Sequence, residues 1–263
     1  MRVKPGTKVS LKDFDPADTG GYRSADEVKD ELDELLKELR KLQHKLYAEN
    51  RRALLVVLQG MDASGKDGTV THVMSGLNPL GVKVVAFKAP NEEELHHDFL
   101  WRIHKALPRL GDVGIFNRSH YEDVLVVRVH ELVPRKVWKA RYDQINEFEN
   151  ILTENNLVIL KFFLHISKDE QKQRLQERLN DPMRYWKFSL HDVEERRFWG
   201  DYKDAYEDAL TKCSTKWAPW RIVPANHKWY RNLVVARTLV ETLREMDPKY
   251  PEPKEDLSHI VIE

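Results

Sequence analysis

The sequence predicts an α/β protein: a parallel five-stranded sheet with helices on both faces and an α-helical lid. Three observations carry this. An uninterrupted apolar run at 53–58 ends at glycine, as expected of a strand buried on both faces. It leads at once into Gly60-Met-Asp-Ala-Ser-Gly65-Lys66, two glycines and a lysine at the spacing of a phosphate-cradling loop between strand and helix. Beyond it, strand-like and helix-like segments take turns, the signature of a parallel sheet.

Taken in order, leucines and Tyr47 at spacings of three and four within 24–50 mark an amphipathic helix with a mixed Lys/Glu outer face. The strand 53–58 follows, then a helix 66–77 stopped by Asn78-Pro79. Next come strand 82–87, helix 92–106, strand 113–117, helices across 122–155, strand 157–166 and helix 168–179. A short strand 221–223 and a final helix 228–246 complete the core, and the proline-bearing tail 247–263 reads as extended.

The 263 residues show no repeat, low-complexity tract or linker, so 1–263 reads as one domain with a lid at about 174–197. The 43 Lys and Arg cancel the 43 Asp and Glu, so any polyanion site is local and a protein that coats nucleic acid is not expected. The single cysteine, Cys213, excludes a disulfide framework and a Cys-rich cluster; it reads as a small inert thiol in a reducing cytoplasm. No apolar run has the length of a signal sequence or a membrane span, so a cytoplasmic protein without membrane attachment is expected. None of the 11 histidines has metal-site spacing.

The phosphate loop is the first candidate site. Backbone N–H groups of Gly60, Ala63, Ser64, Gly65, Lys66, Asp67 and Gly68 can converge on phosphate oxygens at a helix N-terminus, and Lys66 adds a mobile point charge. The bland alternative is a tight strand-to-helix turn. Where such loops usually place Ser or Thr after the lysine, this chain has Asp67, and Asp62 lies inside the loop itself. Carboxylates in a phosphate cradle repel their ligand unless a cation lies between, so Mg²⁺ held by Asp62 and by Asp67 is expected. For Asp67 alone, a carboxylate favoured by the helix dipole is the other reading.

Phe116-Asn117-Arg118-Ser-His-Tyr-Glu122-Asp123 follows the third strand, at the sheet end where ligands collect. Arg118 can clamp a phosphate, with Glu122 holding the arginine or a metal-bound water; a surface ion pair is the alternative. Further on, Arg174 and Arg178 lie one helical turn apart before Asp181-Pro182, followed by Arg184-Tyr-Trp186-Lys187. This reads as a lid in which both arginines point at one site and Lys187 closes over it with Trp186 excluding water. A solvated helix face is the competing reading. Trp217-Ala-Pro-Trp220 reads as core in preference to a stacking platform.

Together, the loop 60–68, the stretch from Phe87-Lys-Ala-Pro90 to Phe99-Leu-Trp-Arg102, and the motif 116–123 resemble the polyphosphate kinase 2 family, over about 25–245. The resemblance implies a thymidylate-kinase-like P-loop fold and reversible phosphoryl transfer between inorganic polyphosphate and a nucleotide, with Mg²⁺ and no phosphohistidine. It places Asp62, Lys66, Asp67, Arg118, Glu122 and Arg178 at the site. Asn117 stands where the ADP-preferring subgroup tends to have aspartate, and with His120-Tyr-Glu-Asp it is similar to the subgroup accepting AMP and ADP.

The expected reaction is direct in-line attack of AMP or ADP on the terminal phosphorus of polyphosphate, with adenine nucleotides as acceptors and guanine nucleotides left open. Arg51, Arg52, Lys83, Lys88, Lys37, Lys41 and Lys45 are candidates for a basic track leading the polymer to the loop. A homo-oligomer assembled through exposed helices is expected. The rival readings are an ATP-dependent nucleoside monophosphate kinase and a non-catalytic nucleotide sensor.

Overall fold

All seven residues of Ala53–Gln59 are buried, and this apolar strand is the centre of the molecule. In the computed structural model, which describes residues 1–257 and 262, the chain runs α1 (Asp26–Glu49), β1 (Ala53–Gln59), α2 (Lys66–Thr69), β2 (Val82–Ala86), α3 (Glu92–Leu95), α4 (Trp101–Ala106) and β3 (Val113–Asn117). It continues through α5 (Val126–Val129), α6 (Arg135–Glu154), β4 (Leu157–His165), α7 (Lys168–Asn180), α8 (Leu190–Glu195), α9 (Trp199–Lys212), β5 (Trp220–Pro224) and α10 (Lys228–Met246).

The five strands form one parallel sheet in the order β2-β3-β1-β4-β5. Each fully buried Leu or Val of β1 contributes about 1.5–3 kcal/mol, which is why both of its faces are apolar. The outer edge of β5 is covered by the first residues, where Val3 N–H donates to the Trp220 carbonyl and Arg2 bridges Arg221 antiparallel. At the other edge, the outer side of β2 has no strand partner among the described residues, and Leu80 and Val84 are exposed there. Helix α1 buries Val28, Leu39, Gln43 and Leu46 and packs along α10. Its Gln43 has no exposure because its amide bonds Asn78 N–H and the Gly81 carbonyl.

Several helices differ from the sequence reading. The predicted helix 66–77 is α2, one turn long, widened into a π-helical turn at Val70–Met74, and Thr69 Oγ1 donates to the Gly65 carbonyl beside it. The predicted helix 92–106 is two pieces, because Asp98 Oδ1 accepts from Leu100 N–H and starts the second helix afresh. Across 122–155, Pro134 separates α5 from α6. The strand predicted at 221–223 extends to Trp220–Pro224, with Trp220 in the core and Trp217 exposed. Helix α9 was not foreseen at all. Of the predicted extended tail, 247–257 is without regular structure beyond the helix cap, and 258–261 and 263 lie outside the described residues.

No helix among the described residues is long and apolar enough to cross a membrane. Cys213 is buried, and burial pushes its thiol up to about 12, so it is an inert core residue.

Candidate active site

The loop between β1 and α2 has positive φ at Gly60, Ala63 and Gly65. Gly65 has φ +99, tolerated because it lacks a Cβ, and Ala63 has φ 61, a conformation that costs an L-residue about 1–2 kcal/mol. Ala63 is held there by Arg174, whose Nη1 donates to its carbonyl at 2.8 Å. Lys66 Nζ donates to the carbonyls of Gly60 at 2.8 Å and Met61 at 3.3 Å, curling over the loop. Burial first, and then the charge of Arg118, lower its ammonium to about 8, against the opposing pull of Asp62, Glu122 and Asp67.

The register of β1 with β3 pairs Leu58 with Asn117, and Arg118 N–H donates to the Leu58 carbonyl at 3.1 Å, so the motif after β3 lies beside the loop. Arg118 Nη2 donates to Asp62 Oδ1 at 2.7 Å and Nη1 to Glu122 Oε2 at 3.5 Å. Burial works against that charge, but Glu122 and Asp62 outweigh it and hold the guanidinium above its ordinary value. Asn117 Nδ2 donates to Asp67 Oδ1 at 2.6 Å. Asp62, Lys66, Asp67, Asn117, Arg118 and Glu122 are thus one constellation at the carboxyl ends of β1 and β3.

A buried ionic cluster fixes this motif from behind. Lys161 of β4 donates to Glu149 Oε2 of α6 at 2.5 Å, to Tyr121 Oη at 2.7 Å and to the Cys213 carbonyl at 2.7 Å. Glu149 Oε1 also accepts from Tyr121 Oη at 2.9 Å and pairs with His120 Nε2 at 3.2 Å. All four side chains are buried, so His120 and Tyr121 anchor the segment that carries Arg118 and Glu122.

The lid brings up Arg178, whose Nη1 donates to Asp192 Oδ2 of α8 at 3.0 Å and to the Lys187 carbonyl at 3.2 Å. Burial and the nearby Asp62 push the Asp192 carboxyl up, with Arg178 and Arg118 opposing, which puts this pair within electrostatic reach of the loop. The lid otherwise differs from the sequence reading. Arg174 does not join Arg178 but points beneath the loop, bonded to Glu170 and to the carbonyls of Ala63, Ala225 and Asn226. Trp186 is 77% exposed, its Nε1 donating to the Met183 carbonyl, and Lys187 is also exposed, its Nζ 4.8 Å from the Trp186 ring centroid.

Helix α9 supplies a residue that sequence reasoning missed: buried Tyr206 lies against the Gly60 backbone, near Glu122, Arg118 and Asp62. Burial, with those carboxylates, pushes its phenol well above its ordinary value. Trp199, Tyr202, Tyr206 and Ala209 are spaced as on a helix face, a signal masked by the charges between them. Gln171 of α7 was also missed; its Nε2 donates to the Asp62 carbonyl at 2.9 Å.

The basic track does not form as expected. Arg51 and Arg52 precede β1 and so lie at the opposite end of the sheet from the loop, about 20 Å away at 3.3 Å per strand residue. Arg52 is tied to Glu49, Lys37 to Glu34, and Lys83, near the start of β2, to the carbonyls of Lys105 and Leu107. Lys88 alone of these follows a strand at the loop's end of the sheet.

For a divalent cation, the structure offers the two loop carboxylates and no cage of three or more acidic, His or Cys side chains among the described residues. That suits Mg²⁺, which takes one or two carboxylates together with substrate phosphates. Among the described residues, Asp62 accepts from Arg118 and Asp67 from Asn117 through Oδ1 of each side chain.

The family model for polyphosphate kinase 2 matches residues 22–251. The AMP/ADP-polyphosphate phosphotransferase of Meiothermus ruber is 53% identical over 263 residues, covering 100% of this chain and 98% of that protein. The ADP-polyphosphate phosphotransferase of Rhodopseudomonas palustris is 44% identical, covering 96% of this chain and 91% of its own. The crystal structure of polyphosphate kinase 2 from Arthrobacter aurescens TC1 superposes with a TM-score of 0.94 at 45% identity, covering 97% of this chain and 92% of that one.

Proposed function

Because the chain belongs to the polyphosphate kinase 2 family, which the match over 22–251 and the 53% identical relative carry, we propose a role for each residue of the constellation around Lys66. The protein is a polyphosphate-dependent nucleotide phosphotransferase, acting on AMP and ADP. A terminal phosphate oxygen of the acceptor nucleotide attacks the end phosphorus of polyphosphate. One P–O bond forms as the bridging P–O bond to the rest of the polymer breaks, and the shortened polymer leaves with the bond's electron pair.

Positioning and charge neutralisation supply the rate. The loop amides and Lys66 hold the polyphosphate end. Arg118, fixed between Asp62 and Glu122, neutralises charge where donor and acceptor meet. Arg178 is delivered by the lid, released from Asp192 or acting with it. Asn117 contacts the nucleotide side of the site, and Lys187 joins when the lid moves. Asp62 and Asp67 would hold Mg²⁺, which would supply further charge neutralisation on the phosphates when bound. A cytoplasmic, self-associating protein is the accompanying reading, supported by its one buried thiol and by the outer edge of β2, without a strand partner among the described residues.

The test is nucleotide formation from AMP or ADP, with polyphosphate or ATP as the only donor. ADP and ATP should form from AMP and polyphosphate alone; transfer only from ATP would make the protein a nucleoside monophosphate kinase. The charge of Lys66 predicts a pH effect as well. Below about 8 the ammonium is charged, so the affinity of the free enzyme for inorganic tripolyphosphate should fall as pH rises through about 8. Calorimetric titration at several pH values checks this, and Lys66→Gln should flatten that part of the profile.

A further inference from the structure

Beneath the phosphate loop lie two buried guanidinium groups that phosphoryl transfer, as derived so far, does not use. Arg174 is balanced, with Nε on Glu170 Oε1 at 2.7 Å and its other nitrogens on backbone carbonyls. Arg231, in the first turns of α10, is different. It is 2% exposed, and its Nε and Nη2 donate to the amide oxygen of the neighbouring Asn232 at 3.2 and 2.8 Å. Among the described residues it makes no ion pair, and the charged group that acts on it is a second cation, Arg174.

Its place relative to the loop is defined by the glycines. A Cβ on Gly65 would lie 1.8 Å from Arg231 Nη1, and one on Gly68 would lie 3.3 Å from Nη2. The guanidinium therefore fills the space under the loop that side chains at 65 and 68 would take. Those glycines serve the group below as much as any ligand above.

A buried cation with no counter-ion is a costly way to fill space; an apolar side chain of similar length would do so at less expense. Charge kept at such a place has a use when an anion arrives on the other face of the backbone. Burial and Arg174 already lower the Arg231 guanidinium to about 10, a sign of how poorly its charge is compensated in the free protein.

We propose that Arg231 is a positioning residue of the phosphate loop, whose uncompensated charge beneath Gly65 and Gly68 is balanced by the terminal phosphates of bound polyphosphate. The inference rests on the reading that this loop holds the polyphosphate end. Lys66 acts on the ligand directly, whereas Arg231, from α10, acts through the backbone at Gly65 and Gly68 that it supports.

The experiment compares the full-length protein with Arg231→Met and Arg231→Lys. Three quantities are measured: thermal unfolding, the affinity for inorganic tripolyphosphate, and KM and kcat with polyphosphate. Arg231→Met should unfold at the same or a higher temperature, because it removes an unpaired buried charge. At pH 7 its tripolyphosphate affinity should fall and its KM for polyphosphate rise by about tenfold, with kcat at saturation changing less.

Arg231→Lys should stay within about threefold of the wild type at pH 7, and its affinity relative to the wild type should decline by pH 9, because a buried ammonium loses its proton where a guanidinium does not. The charged groups facing position 231 are Arg174 and, through it, Glu170; these, and Lys66 beside Gly65 in sequence, are common to all three proteins and cancel in the ratio. Affinity within about twofold of the wild type for Arg231→Met overturns the proposal. So does an Arg231→Lys variant as impaired as Arg231→Met at pH 7 with no pH dependence, since shape alone would then be at stake. Should Arg231→Met fail to fold, the pH dependence of the lysine variant decides. Absence of transfer from polyphosphate by the wild type would instead count against the function proposed above.

Discussion

Replacing Lys66 with alanine is expected to lower turnover with polyphosphate by about 10²-fold or more while leaving the thermal transition nearly unchanged. The Lys66 Nζ rests on the loop itself, on the carbonyls of Gly60 and Met61, and it is already partly desolvated before any ligand binds. Its charge therefore acts on phosphate through a medium of low dielectric, with little reorganisation left to do. Asp62→Asn should have an effect of similar size for a different reason. Arg118 Nη2 would lose its charged acceptor and the loop one of its two oxygen ligands for a cation. Steady-state rates with AMP and polyphosphate check both, and near-normal turnover in either variant would count against the assigned roles.

The second large effect is on stability. Lys161→Met leaves the Glu149 carboxylate buried with only His120 and Tyr121 for company, a loss of about 3–5 kcal/mol. For a chain of this size that is about 10 °C in the unfolding temperature. In the wild type, burial would raise the Glu149 carboxyl, but Lys161 and His120 outweigh it and hold it below the ordinary value. Its contribution is thus fully present above the ordinary carboxylate range and is lost as pH falls through the lowered native value.

Without Lys161 the sign reverses. Burial dominates, the carboxyl rises, and the deficit against the wild type should shrink toward acid pH. Urea unfolding at pH 5 and pH 8 measures this. The double variant Lys161→Met with Glu149→Leu should recover much of the loss, because no charge is left stranded. A deficit that is the same at both pH values would mean that the cluster is not held by charge.

How far these features were legible in the sequence depends on whether their causes are local. The strand 53–58 and its loop could be read because apolar continuity and glycine spacing are properties of adjacent residues. Lys66, Arg118 and Glu122 could be proposed because each lies in the short segment that follows a strand end. Helix α9 was missed, since Asp201, Lys203, Asp204, Glu207 and Asp208 dilute an apolar face that only the tertiary fold reveals. Arg174 looked like a lid arginine from its spacing to Arg178. Its true partners, the carbonyls of Ala63, Ala225 and Asn226, lie on two other strand ends. The basic track failed in the same way: charge near a strand says nothing until it is known which end of the strand faces the site.

The strand order has a kinetic consequence. Central β1 pairs only with strands made much later: Leu54 lies opposite Val113 on one side and Val158 on the other. Val3 finds its backbone partner at Trp220, nearly the whole chain away. During synthesis the most apolar segment of the protein must therefore wait, unpaired, until β3 has left the ribosome, and it is paired on both sides only when β4, past the middle of the chain, has followed. Such non-local pairing slows folding and exposes an aggregation-prone stretch meanwhile. Refolding yield should fall steeply with protein concentration, and β1 is the segment that a chaperone would have most reason to hold.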